Sequence, residues 1–134
     1  MKRIKTSTLL AFFICSSVVV FSQCETWLGL SNENNLTDSF VIYRDFLKQK
    51  KFDKAFPLWE TVYKKAPAAD GRRNHVYTDG IKLYVHKFEN EKRKKRKSEY
   101  VQVIQKLIEE LQKCYPDSKF NLPKKEILDF RSEL

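Results

Sequence analysis

Apolar residues recur at intervals of three and four along most of the chain after residue 38, which is the spacing of one face of an α-helix. Two such stripes lie close together, in "SFVIYRDFLKQK" and in "FDKAFPLWETVYKKAP". A short basic link, residues 48–51, separates them, and Pro67 ends the second one. Neither helix can bury its stripe alone, so we predict that the two form an antiparallel hairpin.

Capping residues suggest where these two helices begin. We predict that residues 23–37 form a polar linker and that Thr37 or Asp38 caps the first helix, because these side chains can accept from free backbone N–H groups. Asp53 is the predicted cap of the second helix. That assignment puts Pro57 in the first turn, where the missing N–H costs least.

A second pair of stripes follows, in "HVYTDGIKLYVHKF" and in "SEYVQVIQKLIEELQKCYP", and Pro116 ends the latter. The stretch 90–98 between them holds six consecutive cations, at 92–97. Their mutual repulsion favours a solvated break, after which Ser98 can cap a new helix. One unbroken helix over 75–114 is the alternative, and it would be unusually long for a globular protein.

The tail, residues 117–134, predicts one more short helix, which would begin after Pro123. The apolar residues that it would bury are Ile127, Leu128 and Phe130. Only three Gly and four Pro occur in the whole chain, which argues against a loop-rich all-β fold. We therefore predict an all-α fold, with two helix hairpins in residues 38–116.

The ends of the two hairpins resemble one another. Apolar residues stand at the same distances before Pro67 and before Pro116, which is the self-similarity of a helix-pair repeat. These positions are Phe52, Ala55, Trp59 and Val62 in the first unit, and Val101, Ile104, Ile108 and Leu111 in the second. The repeat predicts a solenoid in which each unit buries its apolar face against the next.

The first unit resembles a tetratricopeptide repeat. The residues that match the aromatic, alanine and proline positions of that family are Phe46, Phe52, Ala55, Trp59 and Pro67. In the second unit, Gly80 matches the small-residue position of the first helix, but the basic stretch makes this unit longer than a family repeat. Tyr43 and Val62 depart from the pattern, since the family usually has small residues there. The resemblance implies a solenoid of antiparallel helix hairpins, with Trp59 in its core.

Residues 43–84 also resemble a group of exported tetratricopeptide-type proteins of Bacteroidetes. The matching residues are Lys48, Gln49, Lys50, Ala55, Trp59, Tyr77, Asp79 and Gly80. Leu47 and Thr78 depart from the pattern of that group, where a Tyr and an Ile are usual. This likeness implies protein binding in the cell envelope, without catalysis, by a short relative or an N-terminal fragment of a longer protein.

The opening "MKRIKTSTLLAFFICSSVVVFSQ" has the three parts of a secretory signal peptide. A basic start precedes an apolar run over 9–21, which is shorter than the ~20 residues that a membrane span requires. Small residues follow, and we predict cleavage after Ser22, so that residues 1–22 are removed. An N-terminal anchor or a buried helix is the alternative. The predicted location is the periplasm or the extracellular medium.

Removal of residues 1–22 would take away three cations and no acid, reducing the net charge from +9 to +6. It would also remove Cys15 and leave Cys24 and Cys114. In an oxidising compartment this pair can form a disulfide, and two free thiols are the open alternative. Lipidation of Cys24 is a weaker hypothesis, because Gln23 precedes it where a small residue is needed.

No residue pattern indicates an active site. His75 and His86 lie roughly three helical turns apart, too far to share a metal ion. Glu109 and Glu110 are neighbours that we expect on a solvated face, and no glycine-rich phosphate loop occurs. We therefore predict a non-enzymatic protein without catalytic residues, metal or cofactor.

The predicted function is a protein-interaction module. Two hairpins make a short solenoid, which should leave an apolar helix face uncovered for a partner protein, a second copy or the terminal segment. The competing hypothesis is a binder of anionic lipid or polysaccharide, and its candidate contacts are Lys92, Arg93, Lys94, Lys95, Arg96 and Lys97. We interpret this run first as a solvated turn. Nucleic acid is not an expected partner after export.

Overall fold

A computed structural model describes residues 24–121 and 125–132. Over these two ranges the chain forms five helices and no β-strand. They are α1 (Glu33–Lys48), α2 (Phe52–Lys65), α3 (His75–Asn90), α4 (Lys94–Cys114) and α5 (Lys125–Ser132). The predicted all-α class is confirmed. The predicted signal peptide and its cleavage site lie outside the described residues.

Consecutive helices pack on one another. The main contacts join α1 to α2 and α3 to α4, with smaller ones between α2 and α3 and between α4 and α5. Only residues 49–51 connect the first pair and residues 91–93 the second, so the helices of each pair run antiparallel. This order places α1 at one end of the array and α4, with α5 against it, at the other end.

The first helix begins earlier than we predicted. Asn32 occupies the cap position, and both predicted caps lie inside α1, where the Thr37 hydroxyl donates to the Glu33 carbonyl over 2.9 Å. Leu36 explains the difference, because it is buried and adds one turn to the apolar stripe. The prediction that the linker reaches residue 37 and that Thr37 or Asp38 is the cap was wrong.

The start of the second helix is closer to the predicted position. Lys51 occupies the cap position, so Asp53 lies in the first turn, where its charge suits the helix dipole. Pro57 lies two residues deeper than predicted, inside the helix, and the carbonyl of Asp53 therefore loses its usual N–H donor. The helix ends at Lys65, two residues before Pro67, as the prediction of a stop at that proline requires.

The cationic run is mostly helical. The break between α3 and α4 is confirmed, but it spans only residues 91–93, and Ser98 lies one turn inside α4. The Glu91 carboxylate stabilises this break by accepting from the backbone N–H groups of Lys92 and Arg93, each over 2.9 Å. The Arg93 side chain also donates to it, and these bonds lower the pKa of Glu91 to about 2. The predicted insert over 90–98 and its Ser98 cap were therefore wrong.

Trp59 lies at the centre of the core. Its indole Nε1 donates to the Val76 carbonyl over 2.7 Å, and the Tyr63 ring stacks on it with centroids 5.0 Å apart. A Cβ added to Gly80 would come within 2.3 Å of the Trp59 ring. Glycine at residue 80 therefore lets α3 approach α2 closely enough to enclose the indole.

A non-helical segment, residues 24–32, crosses the α2–α3 connection. Cys24 and Cys114 form a disulfide, with their Cα atoms 5.5 Å apart, which decides between the alternatives that the sequence left open. The Trp27 N–H donates to the Ala69 carbonyl and the Ala68 N–H donates to the backbone carbonyl of Glu25, each over 2.9 Å. The N-terminal segment is thus tied at once to α4 and to the buried turn between the hairpins.

Near the C-terminus, α5 covers part of α4. Ile127 is buried, and the Phe130 ring lies edge-on to Phe88 with centroids 5.4 Å apart. The predicted short helix is confirmed. Pro123 and the side chain of Leu128 lie outside the described residues.

Candidate functional site

A cleft of about 820 Å³ opens between α1 and α3. Its apolar lining comes from Leu47, Phe52, Ile81, Val85 and Phe120. Its charged lining comes from Arg44, Lys48, Lys50, Lys82, Asp79 and Glu89. The cleft therefore combines an apolar surface with four cations against two carboxylates. This volume falls within the range of ligand-binding pockets, ~300–1,000 Å³.

The carboxylate of Asp79 is the organising group of the cleft. It is only 2% exposed, and its Oδ2 accepts from Arg44 Nε over 3.0 Å and from the Tyr43 hydroxyl over 3.3 Å. Lys82 Nζ lies 3.5 Å from Oδ1, one helical turn further along α3. Two cations and a phenol thus stabilise a buried charge that would be costly alone.

The electrostatics of this group keep its partners in defined protonation states. Burial raises the pKa of Tyr43, and the charge of Asp79 raises it further, so the phenol stays protonated and donates. Burial also lowers the pKa of His75, with the positive charge of Arg44 as the second cause. His75 is therefore neutral at pH 7 and adds no cation to the cleft.

The Asp79 carboxylate fixes two cations side by side on the wall of the cleft. Neither Arg44 nor Lys82 has a second carboxylate partner among the described residues, and a guanidinium and an ammonium each carry more than one N–H donor. Their unused donors can bind an anionic group of a ligand. Because the hydrogen bond to Asp79 already holds the Arg44 side chain in place, less conformational entropy is lost when that side chain binds a ligand.

A second buried carboxylate, Glu110, contradicts the prediction of a solvated face for that residue. It accepts from the Tyr63 hydroxyl over 2.7 Å, and Lys106 Nζ lies 3.8 Å from it. Burial raises the pKa of Tyr63, and the hydrogen bond to Glu110 raises it further. Glu110 is next to Leu111 on the face of α4 that points into the array, whereas Glu109 is exposed as predicted.

An aromatic cluster that no sequence pattern indicated lies outside the cleft. Lys87 Nζ lies 3.5 Å from the centroid of the Phe56 ring and under 6 Å from the rings of Tyr84 and Tyr100. Burial lowers the pKa of Lys87. The three rings come from three different helices, so only the tertiary structure could bring them together.

The two histidines have separate surroundings. His75 is near Asp79, whereas His86 stacks on Phe52 with ring centroids 3.9 Å apart. Within the part of the chain that the structure describes, no group of three or more His, Cys, Asp or Glu side chains could hold a metal ion.

The cationic run divides into two groups. Arg93 pairs with Glu91 over 2.9 Å, Arg96 pairs with Glu99 over 3.0 Å, and Lys97 Nζ lies 4.6 Å from the centroid of the Phe88 ring. The other members of the run, Lys92, Lys94 and Lys95, are exposed and have no carboxylate partner among the described residues. Only these three remain candidates for an external anion.

The structure places the predicted repeat positions as follows. The buried ones are Ala55, Trp59, Val62, Pro67, Gly80, Val101, Ile104 and Leu111. The ones that pack against the core while partly exposed are Phe46, Phe52 and Ile108. Pro116 is exposed, but like Pro67 it lies two residues beyond the end of a helix.

No protein-family model, curated protein or solved structure matches this chain. The resemblance to tetratricopeptide-type proteins therefore remains a prediction. Among the described helices, none is both long enough and apolar enough to cross a membrane.

Proposed function

We propose that this chain is an exported, non-enzymatic binding module that holds an acidic segment of another protein in the cleft between α1 and α3. One observation carries the proposal. The buried carboxylate of Asp79 holds Arg44 and Lys82 next to each other on the wall of that cleft. Such a pair binds a carboxylate through charge-assisted hydrogen bonds, which are stronger than neutral ones.

The rest of the lining narrows the chemistry of the ligand. Lys48 and Lys50 add two exposed cations, while Phe52, Ile81 and Val85 contribute apolar surface. A ligand that alternates acidic and apolar side chains satisfies both parts of the lining. A uniformly basic or uniformly polar segment does not.

Export is supported by two independent features. The N-terminal sequence has the three parts of a signal peptide. The Cys24–Cys114 disulfide is of the kind that forms and persists in oxidising compartments. Mass spectrometry of the native protein should show a chain that begins at Gln23 or Cys24. A native chain that retains Met1 would overturn this part of the proposal.

The cleft is tested with three synthetic peptides that share the same Leu and Phe positions. Their intervening residues are all Glu, all Gln or all Lys, and binding is measured by calorimetry. We expect the Glu peptide to bind best and the Lys peptide worst. Equal binding of all three would contradict the proposal.

Two double variants test whether the acidic peptide binds in the cleft. Lys48→Gln with Lys82→Gln removes two cations of the cleft and should weaken binding of the Glu peptide by about tenfold or more. Lys64→Gln with Lys65→Gln removes the same charge from the exposed face of α2, outside the cleft, and should change binding by less than about twofold. Equal losses in the two variants would show that only the net charge matters.

The second candidate function is binding to an anionic surface through Lys92, Lys94 and Lys95, which are exposed without carboxylate partners among the described residues. Near an anionic membrane each cation contributes ~1 kcal/mol, so changing all three to Gln should abolish retention on phosphatidylserine vesicles. The protein without these substitutions should bind the same vesicles in a salt-dependent manner. If it does not bind them, the cleft is left as the sole proposed site.

A further inference from the structure

The described residues include four large exposed apolar side chains, and two of them lie on α1, at one end of the helix array. The four large ones are Leu28, Leu30, Val41 and Ile42. Val41 is 59% exposed and Ile42 is 47% exposed, although both belong to the middle of α1. They lie on the side of α1 opposite the residues that face α2.

Acidic residues flank this apolar pair. Asp38, Val41, Ile42 and Asp45 stand at the spacing i, i+3, i+4 and i+7, which places all four on one helix face, and all four are exposed. We call this surface the outer face of α1. It is an unusual surface in a basic protein, because residues 24–46 contain four acids and one cation.

The opposite end of the array carries the complementary charge. Lys92, Lys94 and Lys95 lie at and just before the start of α4, and we call them the α4 entry. Cations at a helix N-terminus are unfavourably placed relative to the helix dipole, so a carboxylate that approaches them is stabilised by both interactions. The methylene stems of lysines can also cover apolar side chains such as Val41 and Ile42.

One molecule cannot join these two surfaces, because α1 and α4 occupy opposite ends of the packing order and the main contacts of α1 are with α2. We infer that the outer face of α1 in one copy of the chain docks on the α4 entry of a second copy. The contact joins two different surfaces, so each added copy leaves one of each free, and the assembly extends head to tail until a ring closes it.

This inference does not depend on the proposed function of the cleft. The outer face of α1 and the α4 entry share no residue with the lining of the cleft. Loss of peptide binding would therefore leave the inference standing, and loss of self-association would leave the cleft standing.

The first test is sedimentation velocity of the disulfide-bonded mature chain over a range of concentrations. In ~20 mM salt we expect the average mass to rise above that of the monomer as concentration increases, and in ~1 M salt we expect it to return to the monomer, because the Debye length then falls to ~3 Å. A protein that stays monomeric at low salt and millimolar concentration would overturn the inference.

The second test is a charge swap. One variant carries Asp38→Lys and Asp45→Lys, and the other carries Lys92→Glu, Lys94→Glu and Lys95→Glu. Each variant alone presents like charges at the contact and should remain monomeric, with unchanged helicity by circular dichroism. An equimolar mixture restores opposite charges and should associate again.

Two results of the swap would overturn the inference. One is a mixture of folded variants that fails to associate, and the other is a variant that associates alone as the unchanged protein does. If a charge-reversed variant does not fold, Val41→Ser with Ile42→Ser removes the apolar half of the contact without changing charge. That variant should also abolish the concentration-dependent rise in mass, and persistence of the rise would count against the proposed face.

Discussion

Two carboxylates are buried among the described residues, Asp79 and Glu110, and they are stabilised in different ways. Asp79 lies between α1 and α3 and is paired with Arg44 and Lys82. Glu110 lies on α4 and accepts a hydrogen bond from the neutral phenol of Tyr63, which lies on α2. Each carboxylate also has a lysine within one helical turn on its own helix.

This difference indicates two roles: Asp79 belongs to a binding surface, and Glu110 links two helices. Asp79 fixes two cations that line a cleft and keep unused donors, so a ligand can bind there. Glu110 lies outside that cleft, and its short bond to Tyr63 joins the second helix of each hairpin. The free energies of unfolding of variants at the two sites can test whether this distinction holds.

The largest expected effect is that of Asp79→Ala. The substitution leaves Arg44 without its carboxylate and the buried hydroxyl of Tyr43 without an acceptor. Breaking a buried pair costs ~3–5 kcal/mol. Because the Arg44 side chain is 32% exposed, we expect a smaller loss in the free energy of unfolding, about 2–4 kcal/mol by urea denaturation.

The exposed Asp117 provides the control for this substitution. Asp117→Ala should change the free energy of unfolding by less than ~0.5 kcal/mol. If Asp79→Ala and Asp117→Ala gave equal losses, the ion pair would not be an important part of the core.

Tyr63→Phe tests the second carboxylate and should have the next largest effect. It removes the hydroxyl that donates to the buried carboxylate of Glu110, while Lys106 Nζ remains 3.8 Å away. We expect a loss of ~1–3 kcal/mol in the free energy of unfolding. The same substitution together with Glu110→Gln should cost less than Tyr63→Phe alone, because no buried charge then lacks a donor. A double variant that loses more than the single one would contradict this account.

Lys82→Gln and Lys106→Gln compare the two sites at nearly equal exposure, since both side chains are mostly in solvent. Each should reduce the free energy of unfolding by at most ~1 kcal/mol, as exposed ion pairs do. Only Lys82→Gln should weaken binding of the acidic peptide. Equal weakening by Lys106→Gln would show that the two carboxylates do not differ in function.

The smallest effect concerns His75, which lies near Asp79 and has no counterpart near Glu110. Its pKa is lowered by folding, so its stabilising contribution is fully present above the ordinary histidine pKa of ~6.5 and is lost as pH falls through the lower folded value. We expect the free energy of unfolding to decrease on acidification below that pH. In His75→Gln this component of the pH dependence should disappear. A folded-state NMR titration midpoint at or above the ordinary value would contradict the prediction.

The sequence was sufficient for the helices and their apolar faces. The spacing of apolar residues over 40–63 and 76–111 predicted four helices, and proline positions predicted two of their ends. The errors lie at the helix starts, where Leu36 and the cations at 94–97 extend α1 and α4 beyond the capping residues. A buried leucine outweighs a good cap, since the tertiary contact stabilises the added turn.

The candidate site could not be predicted from the spacing of residues along the chain. Lys48 and Lys50 belong to the predicted basic link and Asp79 matches a family resemblance, but no sequence pattern indicated that these residues share a site with Arg44. The cleft exists because α1 and α3 lie side by side, although more than thirty residues separate Arg44 from Asp79 along the chain. No local pattern encodes a pair at that separation.

The sequence by itself determined the helical periodicity, the hairpin connections and the location of charge along the chain, because these depend on neighbours within one or two turns. Only the tertiary structure decided that Glu110 is buried while Glu109 is not, that Cys24 meets Cys114, and that Asp79 holds two cations in a cleft. These outcomes depend on the relative positions of whole helices. Close packing around Trp59 and Gly80 sets those positions.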